Sequence, residues 1–342
     1  MSAPAPLVRT ILALLFLFAL DTAHADPLAS WNNGAAKRSI VAFVTAATDV
    51  KSKDYIRPDD RIAVFDNDGT LWSEQPLYFQ FQFALDQVKA MAPEHPEWNT
   101  TQPFKAVLEG DKTALLASGE QGLIALLTAT HTGMTTDAFA ATARNWLASA
   151  RHPVCGCPYT DLVYQPMLEL LSYLRANGFK TYIVSGGTVE FMRAFAQTIY
   201  GVPPEQVIGT AFATKFELDA QGKPELIREP KIDFLDDGPG KPVGINKFIG
   251  RRPVFAIGNS DGDQQMLEWT AAGPGPRYEG IVHHTDARRE FAYDRTSKIG
   301  HLDKALDEAT AKDWTVVDMA KDWRTIYPHG VTLRTRAAAI AH

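Results

Sequence analysis

The sequence predicts an α/β fold built on a doubly wound, mostly parallel sheet, with a helical segment inserted after the first core strand. Two observations predict it. From residue 159 onward, short apolar runs alternate with segments of helical periodicity. An earlier apolar run lies at 61–65, and residues 75–158 after it show helical spacing and no convincing strand. The chain has 342 residues, 45% of them apolar, which is enough for one large domain that carries an insertion.

The elements before and within the insertion follow from the spacing of apolar residues. Residues 31–49 are predicted to form a helix because Ile40, Phe43 and Val44 share one face. Residues 61–65 are short, apolar and β-branched, as expected of a buried parallel strand. Within the insertion, a spacing near 3.6 predicts helices at 81–91, 103–108, 121–130 and 136–150.

Strands and helices alternate after the insertion. Residues 166–178 form a predicted helix that has Pro near its start and Gly at its end, the residues favoured at those positions. A hairpin is predicted to turn at Gln221-Gly222. The remaining predicted strands lie at 179–184, 207–212, 253–257 and 279–284, and the remaining predicted helices at 188–201, 241–250 and 263–273. This order predicts a Rossmann-like sheet with helices on both faces.

The first 25 residues have the layout of a cleavable secretory signal peptide. Arg9 precedes an unbroken apolar run at 11–20, and Ala23-His24-Ala25 offers a small-x-small cleavage site. The run is too short to span a bilayer, which needs about 20 residues. The sequence therefore predicts a periplasmic or secreted protein, cut after Ala25 and without a membrane anchor; an uncleaved anchor is the alternative. The predicted domains are the signal peptide at 1–25, an α/β core at 26–74 and 159–342, and the helical insertion at 75–158.

Charge and cysteine content narrow the possible partners. A net charge of −6 argues against binding to nucleic acid or to an anionic membrane surface. The two cysteines, Cys155 and Cys157, are separated by one residue. Two free thiols or a local strained disulfide are both favoured over a zinc site, which would need two more ligands. The sequence does not indicate an oligomeric state.

Polar or glycine-rich segments follow three of the predicted strands. In a doubly wound sheet, ligands bind beyond the carboxyl ends of the strands, so these segments should line one crevice. Two acids as close as Asp66 and Asp68 repel each other unless a positive charge lies between them. The three segments are Asp66-Asn67-Asp68-Gly69-Thr70, Ser185-Gly186-Gly187 and Gly258-Asn259-Ser260-Asp261-Gly262-Asp263.

The acids of these segments suit a site for Mg²⁺. Carboxylate and amide oxygens are hard ligands for a divalent cation, and phosphoryl transfer is a reaction that such a cation assists. The cation would also offset the repulsion between the acids. The candidate metal ligands are Asp66, Asp68, Asn259, Asp261 and Asp263.

The remaining polar groups suit the phosphate itself. Ser185 and the amides of Gly186 and Gly187, expected at a helix N-terminus, form a candidate cradle for phosphate oxygens. A lysine opposite would offset the charge that develops on the transferred group. Lys241 and Lys247 are both candidates, and Lys241 is favoured because it lies at the start of a predicted helix.

From 61 to 286, the sequence resembles the haloacid dehalogenase superfamily of phosphohydrolases. The first motif of that superfamily, DxDGT at a strand end, matches 66–70. The second, an apolar strand ending in Ser or Thr, matches IVSGG at 183–187, and the double Gly is similar to that of phosphoserine phosphatases. The third is a lone Lys before a helix. The fourth, GDxxxD, matches 258–263 with Asn259 in place of the first Asp, and the helical insertion resembles the cap that these enzymes carry.

The resemblance implies a role for each of the acids. Asp66 would be the nucleophile that forms an aspartyl-phosphate, and Asp68 would protonate the leaving alkoxide and then activate water. Dehalogenases of the superfamily lack the second Asp, so Asp68 favours a phosphatase. Glu74 lies one residue short of the position where phosphoserine phosphatases place a Glu that recognises substrate; an exposed glutamate at a helix start is the alternative.

We therefore expect an exported, Mg²⁺-dependent phosphatase of small phosphomonoesters, similar to acid phosphatases or phosphoserine phosphatases. Two alternatives remain. A phosphotransferase that passes the phosphoryl group to an alcohol would share every motif. A non-catalytic periplasmic binding protein on the same fold is disfavoured, because binding alone does not require paired acids together with a serine, a lysine and a metal loop.

Overall fold

The computed structural model describes residues 26–333, so the predicted signal peptide at 1–25 lies outside the described residues. Within 26–333, no helix combines the length and the apolar character that a bilayer crossing requires.

The centre of the molecule is a seven-stranded sheet with the strand order β4-β3-β2-β1-β5-β6-β7. Neighbouring strands run parallel except for β3 and β4, which form an antiparallel hairpin. The mostly parallel, doubly wound sheet predicted from the sequence is thereby confirmed. The strands are β1 Ile62–Phe65, β2 Lys180–Thr188, β3 Val207–Leu218, β4 Pro224–Phe234, β5 Phe255–Gly258, β6 Tyr278–His283 and β7 Thr315–Asp318.

Helices surround the sheet and fill the segment between β1 and β2. The first helix is α1, Ala35–Thr48. Between β1 and β2 lie α2 Phe79–Met91, α3 Phe104–Glu109, α4 Lys112–Ala117, α5 Gly119–His131, α6 Thr136–Ser149 and α7 Gln165–Ala176. The later helices are α8 Val189–Arg193, α9 Ala196–Tyr200, α10 Gly240–Phe248, α11 Gln264–Ala271, α12 Lys304–Ala311 and α13 Met319–Asp322.

Strand β1 shows how the core is divided. All four of its residues are buried, and successive side chains of a strand point to opposite faces. Ala63 and Phe65 join the cluster that contains α1 and α7, whereas Ile62 and Val64 join the cluster that contains residues of α10, α11 and α12. An apolar run without alternation is thus explained by helices on both faces of the sheet.

The helical insertion shares the core of the sheet domain. Phe79, Phe83 and Phe139 belong to the same apolar cluster as α1 and α7. A separate small cluster joins Val88 of α2 to Leu126 of α5. The domain boundaries predicted at 75 and 158 remain predictions, because a shared cluster does not define where one unit ends.

Several elements differ from the sequence prediction. Residues 188–201 were expected to form one helix, but α8 and α9 are separate because the backbone leaves the helical conformation at Phe195, whose ring stacks on Trp72 at 4.4 Å between centroids. Strand β3 continues to Leu218, beyond the expected end at 212, because it pairs with β4 in the predicted hairpin. Strand β7 and helix α12 were not predicted.

Cys155 and Cys157 form a disulfide, one of the two alternatives favoured from the sequence.

Candidate active site

The ends of three adjacent parallel strands bring the predicted site segments together. Phe65 of β1 is in register with Ile183 of β2 on one side and with Ile257 of β5 on the other. The next backbone N–H, that of Asp66, donates to the Ile257 carbonyl at 3.0 Å. The segments that follow Phe65, Ile183 and Ile257 therefore lie at the same edge of the sheet, as predicted for a doubly wound fold.

A buried lysine joins two of the predicted acids. The Lys241 ammonium lies 2.6 Å from Asp66 Oδ1 and 2.5 Å from Asp263 Oδ1. Lys241 is at the first turn of α10, and its side chain is 2% exposed. The other candidate, Lys247, lies instead beside the ring of Phe248 at 5.2 Å. Of the two lysines, the structure brings Lys241 into the site.

Burial and charge act in opposite directions on this group. Burial raises the pKa of Asp66 well above its usual value, and the neighbouring Asp263 and Asp68 raise it further, while Lys241 opposes them. Burial lowers the pKa of Lys241, but Asp263 and Asp66 outweigh this effect, so its pKa is raised. Lys241 therefore stays charged, and its ammonium favours the ionised, nucleophilic form of Asp66.

Asp68 lies on the other side of the strand-end loop, close to the β2 segment. Its Oδ1 accepts a hydrogen bond from Trp72 Nε1 at 2.8 Å. A Cβ atom at Gly187 would lie 3.6 Å from both Asp68 Oδ2 and Ser185 Oγ, so these two oxygens flank the same glycine. Burial raises the pKa of Asp68, which favours the protonated form that a proton donor requires.

The Ser185-Gly186-Gly187 segment is a bulge at the end of β2. Ser185 pairs with Gly209 of β3, and the next pair joins Thr188 to Thr210, so the two glycines leave the ladder. The Gly187 N–H donates to Ser185 Oγ at 3.3 Å. The segment was expected at a helix N-terminus, but the strand continues to Thr188 before α8 begins, because β3 still pairs there. The predicted cradle is thus a strand bulge.

Asp263 fixes the loop that follows β5. Its Oδ2 accepts the backbone N–H groups of Asn259 at 2.9 Å and Ser260 at 3.0 Å, while its Oδ1 faces Lys241. The carboxylate is fully buried. Asp263 therefore positions both the loop and the lysine.

Asp261 points out of the site, in contrast to the prediction that it is a metal ligand. Its Oδ1 accepts the backbone N–H groups of Asp303 at 2.8 Å and Ala305 at 3.0 Å, and its Oδ2 accepts that of Lys304 at 3.2 Å. These are the N–H groups at the start of α12, which have no partner inside the helix. Both oxygens of Asp261 are thus used to cap a helix that the sequence analysis did not identify.

Glu74 and Asn259 form a second buried group beside Asp68. Asn259 Oδ1 accepts from Thr70 Oγ1 at 3.0 Å, and Asn259 Nδ2 donates to Glu74 Oε1 at 2.8 Å. Glu74 Oε1 also accepts from the Tyr293 hydroxyl at 2.8 Å. Burial raises the pKa of Glu74 well above its usual value, despite the hydrogen bond from Tyr293. The alternative of an exposed glutamate is wrong, because Glu74 is 2% exposed.

Three further residues border the site, and of these Gln80 and Tyr293 were not found from the sequence. Gln80 of α2 accepts the Thr188 N–H at 2.8 Å and so connects the insertion to the end of β2. His284 Nε2 contacts the Gly69 carbonyl oxygen at 2.8 Å. Tyr293 reaches Glu74 from a loop after β6. Glutamine, histidine and tyrosine on loops and helices carry no local motif, so only an apolar helix face interrupted by Gln80 could have indicated a role.

The chemical type of the oxygen atoms in the site suits a magnesium ion. The Asp66 carboxylate, the Asp68 backbone carbonyl and the Asn259 amide would offer three oxygens, all hard ligands. Within residues 26–333, no three His, Cys, Asp or Glu side chains are arranged as a metal cluster. The structure gives the reason: Lys241 lies between Asp66 and Asp263, and the remaining position is an asparagine. The residues present fit a cation that takes few protein ligands, as Mg²⁺ commonly does.

Comparison with known families agrees with this geometry. A model of the family described as haloacid dehalogenase-like hydrolase matches residues 63–268, more than half of the chain. The chain belongs to this family. The match includes all three strand-end segments and Lys241, so the fold and the site of this haloacid dehalogenase-like hydrolase lie in the part that the family shares.

Similar solved structures exist, whereas no curated protein matches the sequence. A protein of unknown function from Anaerococcus prevotii is 17% identical, with a TM-score of 0.47; the similarity covers 80% of this chain and 88% of the other. One from Bordetella pertussis is 18% identical, with a TM-score of 0.46 and coverage of 76% and 98%. A phosphoserine phosphohydrolase-like protein from Francisella tularensis is 17% identical, with a TM-score of 0.37 and coverage of 74% and 99%.

Proposed function

We propose that this haloacid dehalogenase-like hydrolase is an exported, Mg²⁺-dependent phosphatase of small phosphomonoesters, similar to acid phosphatases or phosphoserine phosphatases. The observation that carries the proposal is the contact of Lys241 with both Asp66 and Asp263 next to the Asp68 carboxyl. A halide leaves without a proton, so a second buried acid beside the nucleophile is of use for an alkoxide leaving group.

In this proposal Asp66 and Asp68 perform the chemistry. Lys241 holds Asp66 by Oδ1, which leaves Oδ2 to attack phosphorus. A bond from Asp66 to phosphorus forms while the ester P–O bond breaks, and Asp68 gives its proton to the departing alkoxide. Asp68, now ionised, takes a proton from water, and the resulting hydroxide attacks phosphorus and releases inorganic phosphate and Asp66.

Other groups stabilise and orient the phosphoryl group. The Ser185 hydroxyl and the backbone N–H groups of the bulge would donate to phosphate oxygens, and the Lys241 ammonium would offset their charge. The Asp66 carboxylate, the Asp68 backbone carbonyl and the Asn259 amide oxygen would hold Mg²⁺, which supplies electrostatic stabilisation of the transferring group when bound. The helical insertion, through Gln80, contacts the end of β2 and so is placed to shape the substrate pocket.

The test is hydrolysis by the mature chain, residues 26–342. We expect it to release p-nitrophenol from p-nitrophenyl phosphate with Mg²⁺ present, and EDTA or Asp66→Asn to abolish turnover. Undiminished turnover by Asp66→Asn would contradict the mechanism. Addition of an alcohol acceptor identifies a phosphotransferase by the appearance of a new phosphomonoester in place of inorganic phosphate. A panel of phosphomonoesters, phosphoserine included, then identifies the substrate.

Export has a separate test. The full-length chain would be expressed in a bacterium, and the protein recovered from the periplasm or the medium would be identified by mass spectrometry. An N-terminus at Asp26 is expected. Retention of residues 1–25 on a cytosolic protein would contradict the proposal.

A further inference from the structure

Asn259 differs from the aspartate of the related motif, and its surroundings show a compensating acid. The Asn259 side chain is buried, and its amide is fixed at both ends, by Thr70 Oγ1 at 3.0 Å on the oxygen and by Glu74 Oε1 at 2.8 Å on the nitrogen. A carboxylate at 259 would have no proton to give to Glu74. The carboxylate at 74 therefore needs an amide at 259 as its hydrogen-bond donor, and the amide needs the carboxylate as its acceptor.

The space around Glu74 is closed. Gly69 and Gly300 border it, and a Cβ atom at these positions would lie 2.4 Å and 1.9 Å from Glu74 Oε1. The Tyr293 hydroxyl donates to the same oxygen at 2.8 Å. With 2% of its surface exposed, Glu74 is held behind the loop rather than presented to a ligand in solvent.

Resting on the magnesium dependence proposed above, we infer that Glu74 and Asn259 share the task that one aspartate performs in the related motif. Asn259 would offer the oxygen ligand. Glu74 Oε1, which accepts from the amide nitrogen and from the Tyr293 hydroxyl, would supply the negative charge once a cation lies beside the amide. Glu74 is a positioning residue here: it orients the amide so that the oxygen faces the Thr70 side. An anion that accepts from the amide also increases the negative charge on the amide oxygen, which strengthens that oxygen as a ligand.

The test exchanges the carboxylate and the amide between positions 74 and 259 and measures the affinity for Mg²⁺. The dissociation constant would be measured by isothermal titration calorimetry on the mature chain and on Glu74→Gln, Asn259→Asp and the double variant. We expect Glu74→Gln to weaken binding by about 10- to 100-fold, the usual effect of removing a group that supports a metal ligand. The double variant restores one carboxylate and one amide at exchanged positions, so its affinity should return to within about threefold of the wild type, well under the tenfold that corresponds to 1.4 kcal/mol.

The single variant Asn259→Asp provides an independent test, through the stability of the metal-free protein. It places two carboxylates in contact, so the metal-free protein should be less stable than the wild type, and added Mg²⁺ should raise its melting temperature by more. Glu290→Gln is the matched control, because Glu290 is a fully buried carboxylate that contacts Ser73, Tyr164 and His284 and makes no hydrogen bond to Asn259. Its Mg²⁺ affinity should stay within about threefold of the wild type.

The possible outcomes separate this inference from the proposed function. If the wild type does not bind Mg²⁺, the proposed function fails. If the wild type binds and Glu74→Gln binds equally well, or if Glu74→Gln changes only the KM for substrate, the inference fails. If Glu74→Gln does not fold, the double variant decides: wild-type affinity supports the shared task, and loss of affinity or of the fold contradicts it.

Discussion

At the scale of single residues, Asp68 shows how the environment of an acid sets the task it can perform. Asp66 has the Lys241 ammonium at 2.6 Å, which favours the ionised form, whereas Asp68 accepts only neutral donors such as Trp72 Nε1. Burial raises the pKa of Asp68, and the protonated carboxyl is the form that can give a proton to a leaving group. Two acids separated by one residue thus have different partners: a cation contacts Asp66, whereas neutral donors contact Asp68.

The substitution Asp68→Asn tests this difference. Asn keeps the hydrogen bond from Trp72 but has no proton to transfer, so kcat for an alkyl phosphomonoester should fall by about 10²- to 10⁴-fold. The loss should be much smaller for p-nitrophenyl phosphate, because p-nitrophenolate leaves without a proton. Steady-state kinetics on both substrates would measure it, and equal losses would show that Asp68 acts in another way.

Asp236 is a buried carboxyl that should make stability depend on pH. Burial raises the pKa of Asp236 to about 7, although the Lys241 charge acts in the opposite direction. The ordinary value is 3.8, so between about pH 4 and pH 7 the folded state holds a proton that the unfolded state has lost. The free energy of unfolding therefore falls as pH rises through this window. Above about pH 7, Asp236 is ionised in both states and no longer makes the free energy of unfolding depend on pH.

The substitution Asp236→Asn removes this titration. At pH 8 the variant should be more stable than the wild type by about 1–3 kcal/mol, and at pH 4 the difference should nearly vanish. Urea denaturation at the two pH values would measure it. The exposed neighbour is the control: Asp237→Asn should change stability by less than about 0.5 kcal/mol at either pH. A pH-independent difference for Asp236→Asn would contradict the assignment.

At the scale of elements, the loop after β5 serves two structures at once. Asp263 turns inward to Lys241, and Asp261, two residues earlier, turns outward to cap α12. The 3₁₀ turn at Asp261–Asp263 separates the two directions, and Ser260 begins it with a capping box. The same loop therefore holds the active-site edge of the sheet and the start of a later helix.

The substitution Asp261→Ala tests whether this acid caps the helix or binds metal. Loss of the cap leaves three N–H groups of α12 without their partner, so the free energy of unfolding should fall by about 0.5–2 kcal/mol. Denaturant titration would measure the fall. Mg²⁺ affinity should remain that of the wild type. A tenfold weaker affinity would show that Asp261 is a metal ligand, as the sequence predicted.

These elements also show what the sequence could predict and what it could not. The ends of β1 and β5 were predictable because short apolar runs stop at polar residues, and parallel strands end at a common edge. Strand β2 continues past its predicted end at 184, because β3 still pairs with it at Thr188. The direction of Asp261 was not predictable, because its partners belong to α12, a helix of eight residues far along the chain whose buried residues are the small Ala305 and Ala309. The break between α8 and α9 depends on the packing of Phe195 on Trp72, a tertiary contact that local periodicity does not contain.

At the scale of the whole molecule, the insertion is attached to the sheet domain through the β3–β4 hairpin. The Gly133 N–H donates to the Arg228 carbonyl, and the Arg228 N–H donates to the Met134 carbonyl, so β4 is bonded to the loop between α5 and α6. The Arg228 guanidinium also lies 4.2 Å from the centre of the Phe139 ring. The sequence placed the hairpin and the helices separately, since such contacts join segments far apart in the chain.

Arg228 is the residue on which this attachment depends. It is fully buried, and its Nη1 lies 2.7 Å from Glu190 in α8, while its Nε donates to the His131 carbonyl at 2.5 Å. One guanidinium thus joins the hairpin, the insertion and the helix that follows the β2 bulge. Arg228 therefore connects the insertion to α8, the helix that directly follows β2 and its Ser185.

The substitution Arg228→Met keeps an unbranched apolar stem and removes the guanidinium group with its charge. The free energy of unfolding should fall by about 3 kcal/mol, the lower end of the range for breaking a buried pair, because the Glu190 side chain keeps 15% exposure. In Arg228→Met/Glu190→Gln part of the loss should return. Arg295→Met is the control, because its ion pairs with Asp303 and Asp307 are exposed and should be worth less than about 1 kcal/mol.

Limited proteolysis decides whether the lost stability is local to the insertion. If Arg228 holds the insertion in place, Arg228→Met should be cut within 75–158 faster than the wild type under native conditions, while the sheet domain stays intact. The KM for a phosphomonoester should rise in the same variant, because Gln80 of α2 contacts the end of β2 only when the insertion is docked. Cleavage spread evenly over the chain would show that Arg228 stabilises the whole fold without a special part in holding the insertion over the site.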